Sequence, residues 1–391
     1  MNHQPYEKPP RWWGPKMSPA WIRFWRPFRK RSQIKTQRLL DVEVRGLEHV
    51  RDAVERGQGV LITPNHASHA DCHCIYATAD ELGLPIYVMV AWQVFERDGW
   101  LRAMLLRHHG GFSIDREGTD LQAIRQAKEI LQSSKNPLFI FPEGDVYHCN
   151  GRITPFREGP AAIALMAAKK TERPVVCVPC AMRYTYIEDP TPELLDLMDE
   201  LERAIMWRPR PDLPLPQRIY HLAEGLLALK EVEYLGHSRK GPVPERIGAF
   251  IDNLLGRLES RYDVHPADAT VPERVKVLRQ HAIKQLQEMD EEDPSRKQYQ
   301  QDLEDLFLIV QAFSYPGNYV SEEPSIERLA ETLDKFEEDV LGYATARIRG
   351  TRKATVTFGE PIPVEPQRGK KEAAALTRLM EERVQALLDG K

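Results

Sequence analysis

Ten consecutive residues, NHASHADCHC (65–74), carry three histidines, one aspartate and two cysteines. Those side chains suit two kinds of chemistry. One is a metal centre. The other is a single histidine base held by a carboxylate. A structural zinc site needs four N/S ligands in tetrahedral array, usually as short-spaced pairs. Cys72-x-Cys74 is one residue too tight for the usual knuckle. Cys177-x-x-Cys180 sits in an apolar run that reads as a strand, where the two thiols would point to opposite faces. Small apolar packing explains these cysteines without a metal, and no metal ligand is assigned. On one continuous helix His66 and Asp71 would diverge by about 140°. They meet only if His66 lies in a loop and Asp71 in the first turn of the helix after it. Ser68 or Asn65 is then the expected cap, and an acid in the first turn suits the helix dipole. Asp71 would hold His66 at Nδ1 and leave Nε2 as the base. His69 and His73, four apart on that helix, face elsewhere and read as surface or core histidines.

The elements that would position this pair follow an alternating pattern. Short apolar runs at 41–46, 59–64, 85–90, 111–115, 137–142 and 174–182 read as strands. Helical periods at 120–134 and 159–170 fall between them. The expected fold class is α/β, a central, mostly parallel sheet flanked by helices, with functional residues at strand ends. Residues 191–345 read instead as a helical insertion, entered through the Pro-rich RPRPDLPLPQR (208–218) and carrying helices at 219–235, 243–262, 271–290, 296–313 and 325–341. Residues 346–391 return to strand character at 352–364, expected to rejoin the 41–190 core, and close with a helix at 370–390.

Charge is uneven. Of 54 Lys/Arg and 58 Asp/Glu in the 391 residues, ten bases and one acid (Glu7) fall in residues 1–40. The formal net charge of -4 thus hides a basic head on an acidic body. The head also holds Trp12, Trp13, Trp21, Phe24, Trp25 and Phe28, the last four at helical spacing, with Pro27 expected to shorten or break that helix. An anionic membrane surface met through residues 11–31 is the expected partner; packing of these aromatics onto the body is the other reading. Nucleic acid is not expected, because the acidic body repels it. No run is long and apolar enough for a transmembrane helix. The N-terminus lacks a secretory signal, and the five cysteines fit a reducing compartment. Cytoplasmic, peripheral attachment to the inner membrane face is therefore expected.

Asn65-His66-x-Ser68-x-x-Asp71 resembles the H-x4-D motif of the glycerolipid acyltransferases, the PlsC-like family. Further motifs follow in order. Gly110-Gly111-Phe112-Ser113-Ile114-Asp115-Arg116 resembles the second, Phe141-Pro142-Glu143-Gly144 the third, and Pro155-Phe156-Arg157-Glu158-Gly159 the segment after it. Val175-Val176-Cys177-Val178-Pro179 resembles the fourth, and FGEPIPV the terminal strand. The resemblance covers residues 42–183 and 354–364.

It implies an O-acyltransferase that moves a fatty acyl group from acyl-CoA or acyl carrier protein to a (lyso)glycerophospholipid hydroxyl. No cofactor is implied, and no covalent intermediate. His66 and Asp71 would be catalytic; Arg116, Glu143, Gly144 and Arg157 would bind substrate. Arginine suits a bidentate phosphate grip, Gly144 allows close approach of a ligand, and Arg157 precedes a helix N-terminus. Glu143 could instead only anchor a turn. The sequence departs from the family where Thr-Arg-Ser commonly follows the third motif: here stands Asp145-Val146-Tyr147, an acid where a phosphate-binding arginine is expected. That opens a non-phosphate acceptor on the same fold; the alternative from another class is a catalytically vestigial membrane-surface scaffold working through the helical region 184–345.

Overall fold

The computed structural model describes residues 10–97, 99–118, 120–266, 269–315, 317, 324–366 and 370–390. The chain divides into two compact units, one from residue 10 to Pro190 together with Arg347 onward, the other Thr191–Ala346.

The first unit runs α1 (Pro19–Lys35), β1 (Leu39–Arg45), α2 (Leu47–Glu55), β2 (Gly59–Pro64), α3 (Asp71–Leu82), β3 (Tyr87–Ala91), α4 (Trp92–Arg97), α5 (Gly99–His108), β4 (Gly111–Ile114), α6 (Leu121–Ser133), β5 (Leu138–Phe139), α7 (Gly159–Ala168) and β6 (Val175–Tyr186). After the second unit it resumes with β7 (Arg352–Phe358), β8 (Ile362–Val364) and α14 (Lys370–Leu388). The sheet order is β1-β7-β6-β2-β5-β3-β4, with β8 also on β6. β6, β2, β5, β3 and β4 are mutually parallel, while β7 and β8 run antiparallel to β6. The fold is therefore α/β with a mostly parallel, helix-flanked sheet.

Alternation along the strands builds two apolar layers, because successive side chains leave a strand on opposite faces. Ile62, Val178, Cys180, Met182 and Tyr184 pack with Val50 of α2 and with Cys74 and Ile75 of α3. Leu61, Val175 and Cys177 pack with Ile130 of α6, Ala164 of α7 and Val384 of α14. Leu61 and Ile62 are wholly buried; truncating either to alanine costs about 2–5 kcal/mol. Both layers fix the end of β2, from which the 65–71 loop springs.

The second unit is all-helical: α8 (Thr191–Ala204), α9 (Leu215–Leu235), α10 (Val243–Tyr262), α11 (Val271–Glu288), α12 (Arg296–Phe313) and α13 (Ile326–Leu341). α9 starts inside the segment read as a Pro-rich linker, because Pro216 sits in its first turn, where a missing N–H costs no helical bond. α11 is opened by a reciprocal Thr270–Glu273 capping box. The interior of this helical unit holds paired charges: Arg218 reaches Glu202 at 2.6 Å, and Arg246 reaches Glu231 at 2.7 Å.

At the N-terminus, Trp13 exchanges hydrogen bonds with Ser113 of β4 and stacks on Phe95, while Trp12 meets Phe112. The first nine residues of the basic head lie outside the described residues. α1 is not broken at Pro27. Arg29 Nη1 donates to the Ile22 carbonyl at 2.7 Å, and both Arg26 and Arg29 pair with Asp80 at 3.1 Å, so side chains brace the turn that the proline weakens. Phe24 and Phe28 remain exposed on this helix. Among the described residues no helix is long and apolar enough to cross a membrane.

Candidate active site

β2 ends at Pro64, and Asn65 turns the chain by clamping β6: its amide donates to the Met182 carbonyl and accepts from the Met182 N–H. Asn65 is therefore a strand-end clamp and does not cap α3. Ser68 Oγ accepts from the Ala70 N–H, and the residue before α3, Ala70, makes no side-chain cap. The expected capping is replaced by Asp71 itself. This first residue of α3 accepts from the Ser68 N–H at 3.3 Å with the same Oδ2 that takes His66 Nδ1 at 2.7 Å. Asp71 is 1% exposed, so the pair is a buried carboxylate beneath a half-buried ring. The loop-plus-first-turn geometry expected for His66 and Asp71 is what the structure contains.

Tyr184 completes the arrangement and was not singled out in the sequence. Its hydroxyl donates to Asp71 Oδ1 at 2.5 Å. Burial and the adjacent Asp71 push its phenol well above its usual value, which keeps it a hydrogen-bond donor. The available signal was its parity on β6, which places it on the α3-facing side with Cys180 and Met182.

Phe141 stacks on the His66 ring, with centroids 4.0 Å apart. Two residues on, Glu143 reaches back: one carboxylate oxygen accepts the His66 N–H at 2.8 Å, and the other takes both the N–H and hydroxyl of Thr154. Glu143 is buried, and burial raises its carboxyl to about 6 despite these donors. With both oxygens engaged, it ties the His66 loop to the segment before α7. Of the two roles open in the sequence, these contacts are those of the anchor.

Gly144 has φ +80, and a Cβ there would lie 2.5 Å from Arg157 Nε. Only glycine fits both the left-handed backbone and the arginine laid against it. Arg157 N–H donates to the Pro142 carbonyl, and Arg116 Nη1 donates to the Gly144 carbonyl. Arg116 Nη1 also lies 3.5 Å from Asp145 Oδ2. Burial would raise the Asp145 carboxyl, but Arg116 and Arg157 more than offset this and hold it below the usual carboxylate range. All six expected site residues thus share one connected cluster, with His66 at one end and the Arg116–Asp145–Arg157 group at the other.

The other chemistry-bearing residues separate. Cys177 and Cys180 belong to opposite core layers. Cys74 is buried against Tyr184 while Cys72 is exposed. His73 is buried near Tyr76, and its ring is lowered to about 4 by burial and by Arg29. His69 lies against His148.

An α/β domain with a carboxylate-held histidine at the end of a sheet strand is the class defined by this geometry. Residues 41–183 match the family model described as Acyltransferase, so the chain carries an acyltransferase-family domain. That span holds the ordered motifs from His66 to Pro179. Comparison with curated proteins returned no match. Among solved structures, one similar chain is the 1-acyl-sn-glycerophosphate (LPA) acyltransferase, PlsC, from Thermotoga maritima, at 20% identity and a TM-score of 0.30. The alignment covers 41% of this chain and 57% of that one, so the chain spans little more than half the length of that relative.

Proposed function

We propose that this protein transfers a fatty acyl group from an acyl-CoA or acyl carrier protein thioester to a (lyso)glycerophospholipid hydroxyl. The observation that carries this reading is the His66 Nδ1–Asp71 Oδ2 bond of 2.7 Å, which commits one ring nitrogen and leaves Nε2 for the acceptor. In the proposed reaction Nε2 takes the hydroxyl proton as the oxygen attacks the thioester carbon. The C–S bond then breaks, and the thiolate recovers that proton from His66. Asp71 orients the ring and stabilises the transient imidazolium. Arg116 and Arg157 supply positive charge for the acceptor head group.

Membrane attachment through residues 11–31 belongs to the same proposal. Trp12 and Trp13 are engaged with the body, so the lipid-facing role narrows to α1, where Phe24 and Phe28 are exposed beside Arg23, Lys30 and Arg31.

The test is thiol release from palmitoyl-CoA by purified protein on anionic vesicles containing a lysophospholipid, beside folded His66→Ala. Release that requires both acceptor and His66 is expected. Vesicle binding that persists with no His66-dependent turnover on any thioester would instead support the scaffold alternative.

A further inference from the structure

Beside Gly144 the chain places an anion of its own where an acceptor's phosphate would be gripped. Asp145 Oδ2 lies 3.5 Å from Arg116 Nη1, and its Oδ1 is held at 3.0 Å by the Val146 N–H, which fixes the carboxylate beside the guanidinium. Arg157 lies against the neighbouring Gly144. Yet the site is not closed. Arg116 Nε and Arg157 Nε are buried and have no hydrogen-bond partner among the described residues. Buried guanidinium donors without partners are costly, and such groups call for a ligand's acceptor oxygens.

The charge balance is what selects the ligand. Two guanidiniums and one carboxylate leave a single positive charge. Glu143, with its carboxyl at about 6, is mostly ionised near neutral pH and can only lower this balance further. A phosphate monoester carries about −1.5 to −2 near neutral pH. It would bring its second charge against Asp145 with nothing to meet it. A phosphodiester carries one negative charge and still offers two oxygens to the orphaned Nε–H groups.

We infer that Asp145 is a specificity-determining residue that sets the acceptor class as a lysophospholipid with an esterified, singly charged phosphate, and disfavours the terminal phosphate of lysophosphatidic acid. This rests on the acyl-transfer reading above and refines its acceptor. Discrimination of this kind works by leaving the wrong ligand's charge uncompensated.

The experiment compares lysophosphatidylglycerol with lysophosphatidic acid as acceptors for palmitoyl-CoA, in the full chain and in Asp145→Asn. Asparagine keeps an oxygen for the Val146 N–H and removes only the charge. Binding of the head groups alone, glycerophosphoglycerol and glycerol 3-phosphate, is measured by calorimetry on the same proteins. The native chain should favour the diester in kcat/KM by about tenfold, and Asp145→Asn should cancel or invert that ratio, with the binding ratio moving the same way. A native preference for lysophosphatidic acid, or a ratio that Asp145→Asn leaves unchanged, overturns the inference. Turnover absent with both acceptors, but with diester-selective, Asp145-dependent binding intact, would sink the acyl-transfer reading and leave the head-group selectivity standing. Absence of both would sink the two together.

Discussion

Tyr184 donates to Asp71 Oδ1 at 2.5 Å, across a gap that joins the end of β6 to the first turn of α3. The other oxygen of the same carboxylate holds His66 at 2.7 Å. One buried acid is therefore shared between a phenol that partly neutralises it and an imidazole that depends on it.

Tyr184→Phe removes the donor and keeps the ring packing. A hydrogen bond to a charged group contributes about 1.5–3 kcal/mol, so kcat should fall about tenfold or more while KM stays near its native value. An unchanged kcat would reduce Tyr184 to a packing role.

Asp71→Asn presents an amide that can donate to Nδ1, which puts the proton on Nε2 and disables the base. General-base catalysis contributes on the order of 10²–10⁴, and a loss of that size is expected with thermal stability largely kept. Because the pair acts as a unit, His66→Ala/Asp71→Asn should be no worse than His66→Ala alone. Additive losses would show that the two residues act separately.

Glu143 links pH to stability. Its carboxyl stands at about 6 in the folded protein against 4.5 as its ordinary value, so between those values the folded state binds more protons than the unfolded one. Stability from this group therefore falls as pH rises from 4.5 to 6, and the cost, about 2 kcal/mol, is fully present above that window. Glu143→Gln loses an acceptor at every pH, but its stability relative to native should improve across the window. Parallel stability curves for the two proteins between pH 4.5 and 6.5 would refute this.

Phe24 and Phe28 are 61% and 52% exposed on α1. Replacing both with serine should weaken binding to anionic vesicles at least about tenfold, given roughly 1.5–3 kcal/mol for each fully buried aromatic. Sedimentation with vesicles reads this directly. Unaltered binding would place the lipid contact elsewhere.

The parts of the site legible in the sequence are those fixed by neighbours along the chain. The strand GVLITP, the break at Asn65-His66 and the helix from Asp71 follow from local pattern, and so does the side-by-side placing of Glu143 and Gly144. What was hidden depends on contacts distant in sequence. Asn65 reads as a cap until Met182 is seen to engage both ends of its amide. PLFIFP reads as a full strand, yet the ladder holds only Leu138 and Phe139 before Pro142 and the Glu143 anchor turn the chain into the site. RKATVTF is legible as a strand, but nothing local places it between β1 and β6. Pro27 argues against a long α1 by propensity alone, and tertiary ion pairs to Asp80 outweigh it.

That placing of β7 bears on the order in which the molecule is made. β7 is the neighbour of β1 in the sheet, with Val44 beside Val356, and on its other edge it flanks the end of β6, with Ala354 beside Tyr184. A growing chain must synthesise the whole helical unit before β1 acquires its neighbour, leaving the edges of β1 and β6 open meanwhile. The strand that seals the sheet beside Tyr184 emerges only after that helical unit, so the support beneath Asp71 and His66 is completed later than the strand and helix that carry them.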